Sequence, residues 1–246
     1  MESLLAQSYE PHLHVARQLL VDDATVVELL DPAIDPALLE RFLIQFSALG
    51  VQITEPVDGW IRRAGERCVA LGLTELGHSL ITHAKHEAGH HLMLIDDTRL
   101  LSARWNERRT PALDADALMA QPATPAMRDY IRLHEETIAG ELPYGQVAIE
   151  LEIERMSTTF GPRLMQQCRR VLAPEVLAGL SFIKEHVAVD VGHTALNEKL
   201  MARLLLLRPD ASTRLSAIGS EALRIYVRFF GECLAAARRD VARVSS

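Results

Sequence analysis

Apolar side chains recur at intervals of three and four residues along most of the chain, which is the spacing of one helix face. No segment alternates apolar and polar residues convincingly over the length of a strand. We therefore predict an all-α protein, a single-domain bundle of seven to eight helices that spans residues 1–246. The apolar pattern predicts helices over residues 35–49, 55–71, 74–104, 125–139, 144–171, 173–207 and 211–242.

Polar and proline-containing segments mark the expected helix boundaries. Asp35 is expected to cap the N-terminus of the first of these helices, with Pro36 in its first turn. Residues 106–124 are rich in proline and polar side chains and predict a connecting loop with one helical turn. A Gly-Pro pair at residues 161–162 predicts a kink or a split in the fifth helix.

The composition argues against several classes of protein. The formal net charge of -7 disfavours nucleic-acid binding, which usually needs a basic face. No apolar run approaches the roughly 18 residues of a membrane span. Cys68, Cys168 and Cys233 form no C-x-x-C pair, which disfavours a thiolate metal site or a disulfide framework. With no secretory signal pattern at the start, we predict a cytoplasmic protein without a nucleic-acid or membrane partner.

Three predicted helices carry an apolar face that becomes polar in its middle. On the helix around residue 187, that face carries His186, Asp190 and His193 between apolar residues. The helix around residue 87 carries Glu87 and His90 in the same way, and the helix around residue 154 carries glutamates. Burying an unpaired carboxylate or imidazole costs several kcal/mol, so each polar centre needs compensation.

A bound metal is the common compensation for carboxylates and imidazoles that meet inside a helical bundle. Glu87-x-x-His90 and Asp190-x-x-His193 are two carboxylate-x-x-His pairs on different helices. Di-iron bundles use two Glu-x-x-His pairs together with carboxylates from further helices. Oxygen and imidazole ligands without thiolate suit iron or manganese. The predicted ligands are Glu87, His90, Glu154, His186, Asp190 and His193.

Several positions near this set remain open as alternatives. His83 shares the face of Glu87 and is either a ligand or a partner of one, and His91 is an alternative to His90. Glu150 and Glu154 share a face, and we prefer Glu154 as the ligand. Glu152 points to the opposite side of that helix and is expected at the surface.

The same residues resemble a known family. An H-x-x-x-D-x-x-H segment at residues 186–193, an E-x-x-H pair at residues 87–90 and a glutamate on a middle helix are similar to the haem-oxygenase-like di-iron oxidases and oxygenases. That family shares its fold with haem oxygenase, the thiaminase-like TenA proteins and the pyrroloquinoline-quinone synthase PqqC. The resemblance spans about residues 70–205.

The resemblance implies an enzyme that holds two iron ions per chain, cycling between Fe(II) and Fe(III), and that uses O2 to oxidise a small organic molecule. An amino-acid-like or fatty-acid-like substrate from a biosynthetic pathway is expected, as is a possible homodimer. Two alternatives remain, namely a cofactorless enzyme of the TenA/PqqC type and a ferritin-like iron-binding protein without an organic substrate. The expected pocket walls are Phe182, Phe160, Met156 and Leu94.

Overall fold

A computed structural model describes residues 4–244, which form twelve α-helices and no strand. The all-α prediction is therefore confirmed for the described part of the chain. The helices are α1 (Leu4–Ser8), α2 (His14–Asp22), α3 (Ala24–Leu29), α4 (Pro36–Thr54), α5 (Val57–Ala70), α6 (Thr74–Glu87), α7 (His90–Asn106), α8 (Ala115–Met119), α9 (Pro125–Ala139), α10 (Gln146–Leu172), α11 (Ser181–Leu207) and α12 (Ser212–Val244). Short 3-10 turns occupy Glu10–His12, Pro143–Gly145, Pro174–Gly179 and Pro209–Ala211.

Helix α4 lies at the centre of the bundle. Every residue from 39 to 50 is buried, so this helix is covered on all sides and not along one stripe alone. It packs against α7 and α12, while α10 packs against α11 and α12, and α5 pairs with α6. One connected apolar cluster extends from Leu5 to Ala237. Among the described residues, no helix has both the length and the apolar character needed to cross a membrane.

The helix predicted over residues 74–104 is in fact two helices. α6 ends at Glu87, and α7 begins at His90. Gly89 between them has a φ of 85°, a left-handed conformation that ends a helix and that glycine adopts without steric cost. The break places Glu87 and His90 on different helices, so the chain changes direction between two predicted ligands.

Other predicted boundaries agree with the structure, with two exceptions. Asp35 caps α4, because its Oδ1 accepts a hydrogen bond of 2.7 Å from the Ala37 amide. α10 continues as one helix through Pro162, so of the predicted kink or split, the split is wrong. The helix predicted from residue 173 begins only at Ser181, because residues 174–179 form a 3-10 turn.

A buried carboxylate fixes the start of α11. Asp97 of α7 accepts hydrogen bonds from the Ser181 amide (2.8 Å), the Ser181 hydroxyl (2.8 Å) and the Phe182 amide (2.9 Å). These amides have no partner inside their own helix, so Asp97 acts as a cap from another part of the chain. The contact sets the position of the helix that carries His186 and His193.

Candidate metal centre

Four helices bring carboxylates and imidazoles to one buried region between them. α6 contributes His83 and Glu87, the start of α7 contributes His90, and α10 contributes Glu154. α11 contributes its histidines one and three turns after its start. Among the described residues, two groups have ligand atoms that all lie within 4.8 Å of one another. The groups are His83, Glu87, Glu154 and His193, and Glu87, His90 and His186.

The first group contains two imidazoles and two carboxylates. His83 Nε2 lies 3.4 Å from Glu87 Oε1 and 3.3 Å from Glu154 Oε1. His193 Nδ1 lies 3.2 Å from Glu87 Oε1 and 3.9 Å from Glu154 Oε1. His83 is 0% exposed and Glu154 7%, whereas Glu87 and His193 remain 10% and 14% exposed.

The second group is formed around the other side of the same glutamate. His90 Nδ1 lies 3.0 Å from Glu87 Oε2 and 3.2 Å from His186 Nε2. His186 Nδ1 lies 2.8 Å from the carbonyl oxygen of Phe182. Because a carbonyl can only accept, Nδ1 carries the proton of a neutral His186 and Nε2 keeps its lone pair.

Glu87 belongs to both groups through different oxygens. Its Oε1 faces His83 and His193, and its Oε2 faces His90. A carboxylate placed in this way can bridge two cations with one oxygen each. This arrangement divides six side chains into two adjacent sites that share one member.

The spacing is compatible with metal ligands. Two donor atoms that each lie about 2.1 Å from one ion, at right or tetrahedral angles, are about 3.0–3.5 Å apart. The closest contacts within both groups fall in this range. Among the described residues, His83 Nε2, His83 Nδ1 and His193 Nδ1 are buried without a hydrogen-bond partner. Buried polar atoms in native proteins are normally satisfied, and a cation held between these groups would satisfy those that face the carboxylates.

The electrostatics of the centre follow from this crowding. Burial lowers the pKa of His83, but the carboxylates of Glu154 and Glu87 outweigh it and raise the pKa to about 10. Asp190 and Glu87 raise the pKa of His193 to about 9. Burial raises the pKa of Glu87, yet three neighbouring imidazoles hold it well below the usual range. Without a cation, protons on two imidazoles therefore compensate the carboxylate charge.

Asn197 holds the Glu154 carboxylate by both of its oxygens. Its Nδ2 donates to Oε1 at 3.0 Å and to Oε2 at 2.9 Å, and both residues are buried. Such a contact orients a ligand carboxylate without touching the ion. Asn197 lies on the same face of α11 as His186, Asp190 and His193, and that shared face is the sequence signal for it.

The predicted ligands occupy different places in this arrangement. Glu87, His90, Glu154, His186 and His193 all lie in the two groups. Asp190 is 2% exposed, and its Oδ1 lies 3.6 Å from His193 Nδ1, but it belongs to neither group, so its role as a ligand stays a prediction.

Of the positions left open as alternatives, only one lies in a group of candidate ligand atoms. His83 is central to the first group, which gives it more weight than the sequence did, whereas His91 and Glu150 belong to neither group. Burial raises the pKa of Glu150 to about 8, and the amide of Gln146 donates to it at 2.5 Å. Glu152 is 1% exposed and forms two hydrogen bonds of 2.9 Å with Arg17, so its predicted surface position is wrong.

A cavity of about 100 Å³ opens beside the centre. Glu87, Glu154, His186, Asp190 and Glu150 line its polar end. The remaining walls are largely apolar. They include three of the four residues expected there, Phe182, Phe160 and Met156. The fourth, Leu94, does not line the cavity and is buried elsewhere in the core.

Two solved structures share this fold. A domain of unknown function with a heme oxygenase-like fold from Shewanella denitrificans aligns with a TM-score of 0.69 and 16% identity, covering 98% of this chain and 95% of that one. A CADD-like protein of unknown function from Nostoc punctiforme aligns with a TM-score of 0.64 and 14% identity, covering 94% and 99%. No family model and no curated protein matches the sequence. The chain therefore has a heme oxygenase-like fold, and identities this low establish the fold alone.

Proposed function

We propose that the protein is a non-haem di-iron enzyme that uses O2 to oxidise a small organic molecule. The observation that carries the proposal is the position of Glu87, whose two oxygens face two separate sets of imidazoles. A single-ion site needs no such division. The resemblance of residues 186–193 and 87–90 to the di-iron oxidases of this fold supports the same function.

The donor chemistry supports iron. Carboxylate and imidazole ligands suit iron and manganese, whereas a site for soft ions would contain thiolates. Cys68, Cys168 and Cys233 are all buried and belong to neither group of ligand atoms. Carboxylates crowd each imidazole of the centre, which disfavours a porphyrin as the iron carrier.

Two ferrous ions bound here would supply the electrons and open coordination positions that reduction of O2 requires. The protein residues would hold the ions, orient the ligands and exclude water. Glu87 would join the two ions, and His90 and His186 would complete the second site. The Phe182 carbonyl would keep His186 in the tautomer that leaves Nε2 free. The apolar walls would hold the substrate and exclude water from the polar end of the cavity.

Anaerobic loading with Fe(II), followed by metal counting and exposure to O2, tests this function. We expect two ions per chain and O2 uptake that depends on the iron. Glu185→Ala is a suitable control, because this glutamate lies exposed on α11, the helix that carries three predicted ligands. It should bind and react like the wild type.

The two alternative functions predict other results. A cofactorless enzyme would bind no stoichiometric iron and consume no O2. An iron-storage protein would take up iron beyond two ions per chain and would consume O2 without forming an organic product. Either result would overturn the proposal.

A further inference from the structure

Aromatic side chains are concentrated around the cavity beside the metal centre. They make up 5% of the chain, yet they supply six of the twenty residues that line this cavity. An apolar pocket in a bundle rich in leucine and alanine could be formed without them. The six are Phe46, Tyr130, Phe160, Phe182, Tyr226 and Phe230.

Five of the six rings form a connected cluster with Phe230 in its middle, whereas Phe182 packs on His186. Its ring centroid lies 5.4 Å from that of Tyr226 at an interplanar angle of 85°, and 5.2 Å from that of Phe160 at 37°. Phe46 lies 5.9 Å away at 51°. Aromatic rings prefer edge-to-face and tilted contacts at these distances, and the attraction exceeds that expected from the buried area alone. A further ring in the cavity would find both edges and faces to pack against.

Size and charge restrict the occupant further. The cavity of about 100 Å³ is of the same order as engineered apolar cavities of about 150 Å³ that take up benzene. Among its described lining residues there is no lysine and no arginine, while four carboxylates gather at the metal end. An anionic substituent would therefore find no side-chain cation to pair with in the apolar part.

We propose that this cavity binds an uncharged, benzene-sized aromatic ring of the substrate and favours it over a saturated ring of equal size. The inference rests on the proposed function for the statement that the bound molecule is the substrate. Binding of the ring itself needs no metal, because none of the rings clustered around Phe230 belongs to the two groups of candidate ligand atoms.

Ligand-observed NMR titrations with phenol and cyclohexanol test the preference directly. The two probes share a six-membered ring and a hydroxyl group and differ in aromaticity. Both are titrated against the metal-free protein and against the anaerobic Fe(II)-loaded protein, with iron counted in the same samples. We expect phenol to bind about three- to tenfold more tightly than cyclohexanol in both states, the gain expected for an aromatic pair.

Three variants make the result specific to the cavity. Val57→Phe fills it and should abolish phenol binding, whereas Val51→Phe, at another half-buried valine outside the lining, should not. Phe230→Leu should bring the two affinities together. For Phe230→Leu the ratio compares two ligands on one protein, so a partial loss of folding cancels, and Val51→Phe serves as the folding control for Val57→Phe.

Equal affinities in the wild type, tighter binding of cyclohexanol, or no binding of either probe would overturn the proposal. Phenol preference without iron binding would refute the di-iron function and leave the aromatic pocket standing. Two bound irons without a preference for phenol would refute the aromatic pocket and leave the di-iron function standing.

Discussion

The side-chain amide of Asn197 lies 3.0 and 2.9 Å from the two carboxylate oxygens of Glu154. One NH2 group therefore holds both oxygens of a carboxylate whose Oε1 also faces His83 and His193. Burial raises the pKa of Glu154, while His83 and Asn197 oppose that rise by stabilising its ionised form. The contact opposes protonation of a buried acid that is a candidate ligand.

Asn197→Ala should weaken Fe(II) binding at the first site by about 10- to 100-fold, as expected when the partner that orients a ligand is lost. Anaerobic equilibrium titration with Fe(II) measures the affinity. Asn106→Ala is a matched control, because the Asn106 amide bonds the exposed backbone of Leu113 far from the centre. Equal affinities in Asn197→Ala and the wild type would show that Glu154 needs no such support.

Asp190→Ala should lower the iron content below two ions per chain. Asp190 is buried at the cavity wall, 3.6 Å from His193 Nδ1, and it raises the pKa of that imidazole. Its removal takes away one candidate ligand and one source of negative charge. Iron is counted after anaerobic loading and desalting. A full complement of iron in the variant would remove Asp190 from the set of ligands.

Asp97→Ala should destabilise the protein by about 2 kcal/mol, at the upper end of the losses measured for helix caps, because three hydrogen bonds to a buried carboxylate at the start of α11 disappear. Urea unfolding of the metal-free protein gives the free energy. Asp96→Ala, at the exposed neighbour, should stay within about 0.5 kcal/mol of the wild type. A loss of similar size in both variants would contradict the capping role.

The stability of the protein should fall on acidification through His134. Its ring stacks on Trp60 at 4.0 Å, and burial lowers its pKa to about 3. The folded pKa lies below the unfolded value of about 6.5, so the unfolded state binds the extra proton first as the pH falls. The contribution of His134 is complete above pH 6.5 and is lost at about 1.4 kcal/mol per pH unit between roughly pH 6 and pH 3.

His134→Gln removes the titrating group and should flatten this part of the stability profile. Urea unfolding at pH 7, 6 and 5 measures the slope, and His14→Gln, at an exposed histidine, serves as the control. Identical slopes for His134→Gln and the wild type would show that His134 is not held neutral in the folded state.

The sequence was informative where helical spacing alone decides position. The polar centre on the apolar face of α11 predicted His186 and His193, and both lie in the two groups of candidate ligand atoms. Helical spacing placed Glu150 and Glu154 on one face without separating them, and of the two only Glu154 lies in a group. These inferences needed only the period of the helix and the cost of burying charge. The all-α architecture followed from the same period.

Other features depended on contacts that periodicity does not encode. Glu152 is buried because Arg17 from α2 pairs with it, and no local pattern predicts that partner. The turn at Gly89 was not predicted, because the helical pattern continues across it and a single glycine inside such a pattern is often tolerated. The sequence left His83 as a ligand or a partner of one, because its contact with Glu154 forms only when α10 approaches α6.

The most direct test of the account is Mössbauer spectroscopy of Glu87→Ala after anaerobic loading with 57Fe(II) and oxidation. The wild type should show two magnetically coupled irons per chain, because one carboxylate faces both sites. Glu87→Ala should lose the coupled pair, while His90→Ala should retain one iron at the first site. A coupled pair that persists unchanged in Glu87→Ala would contradict the shared role of this residue and, with it, the two-ion centre.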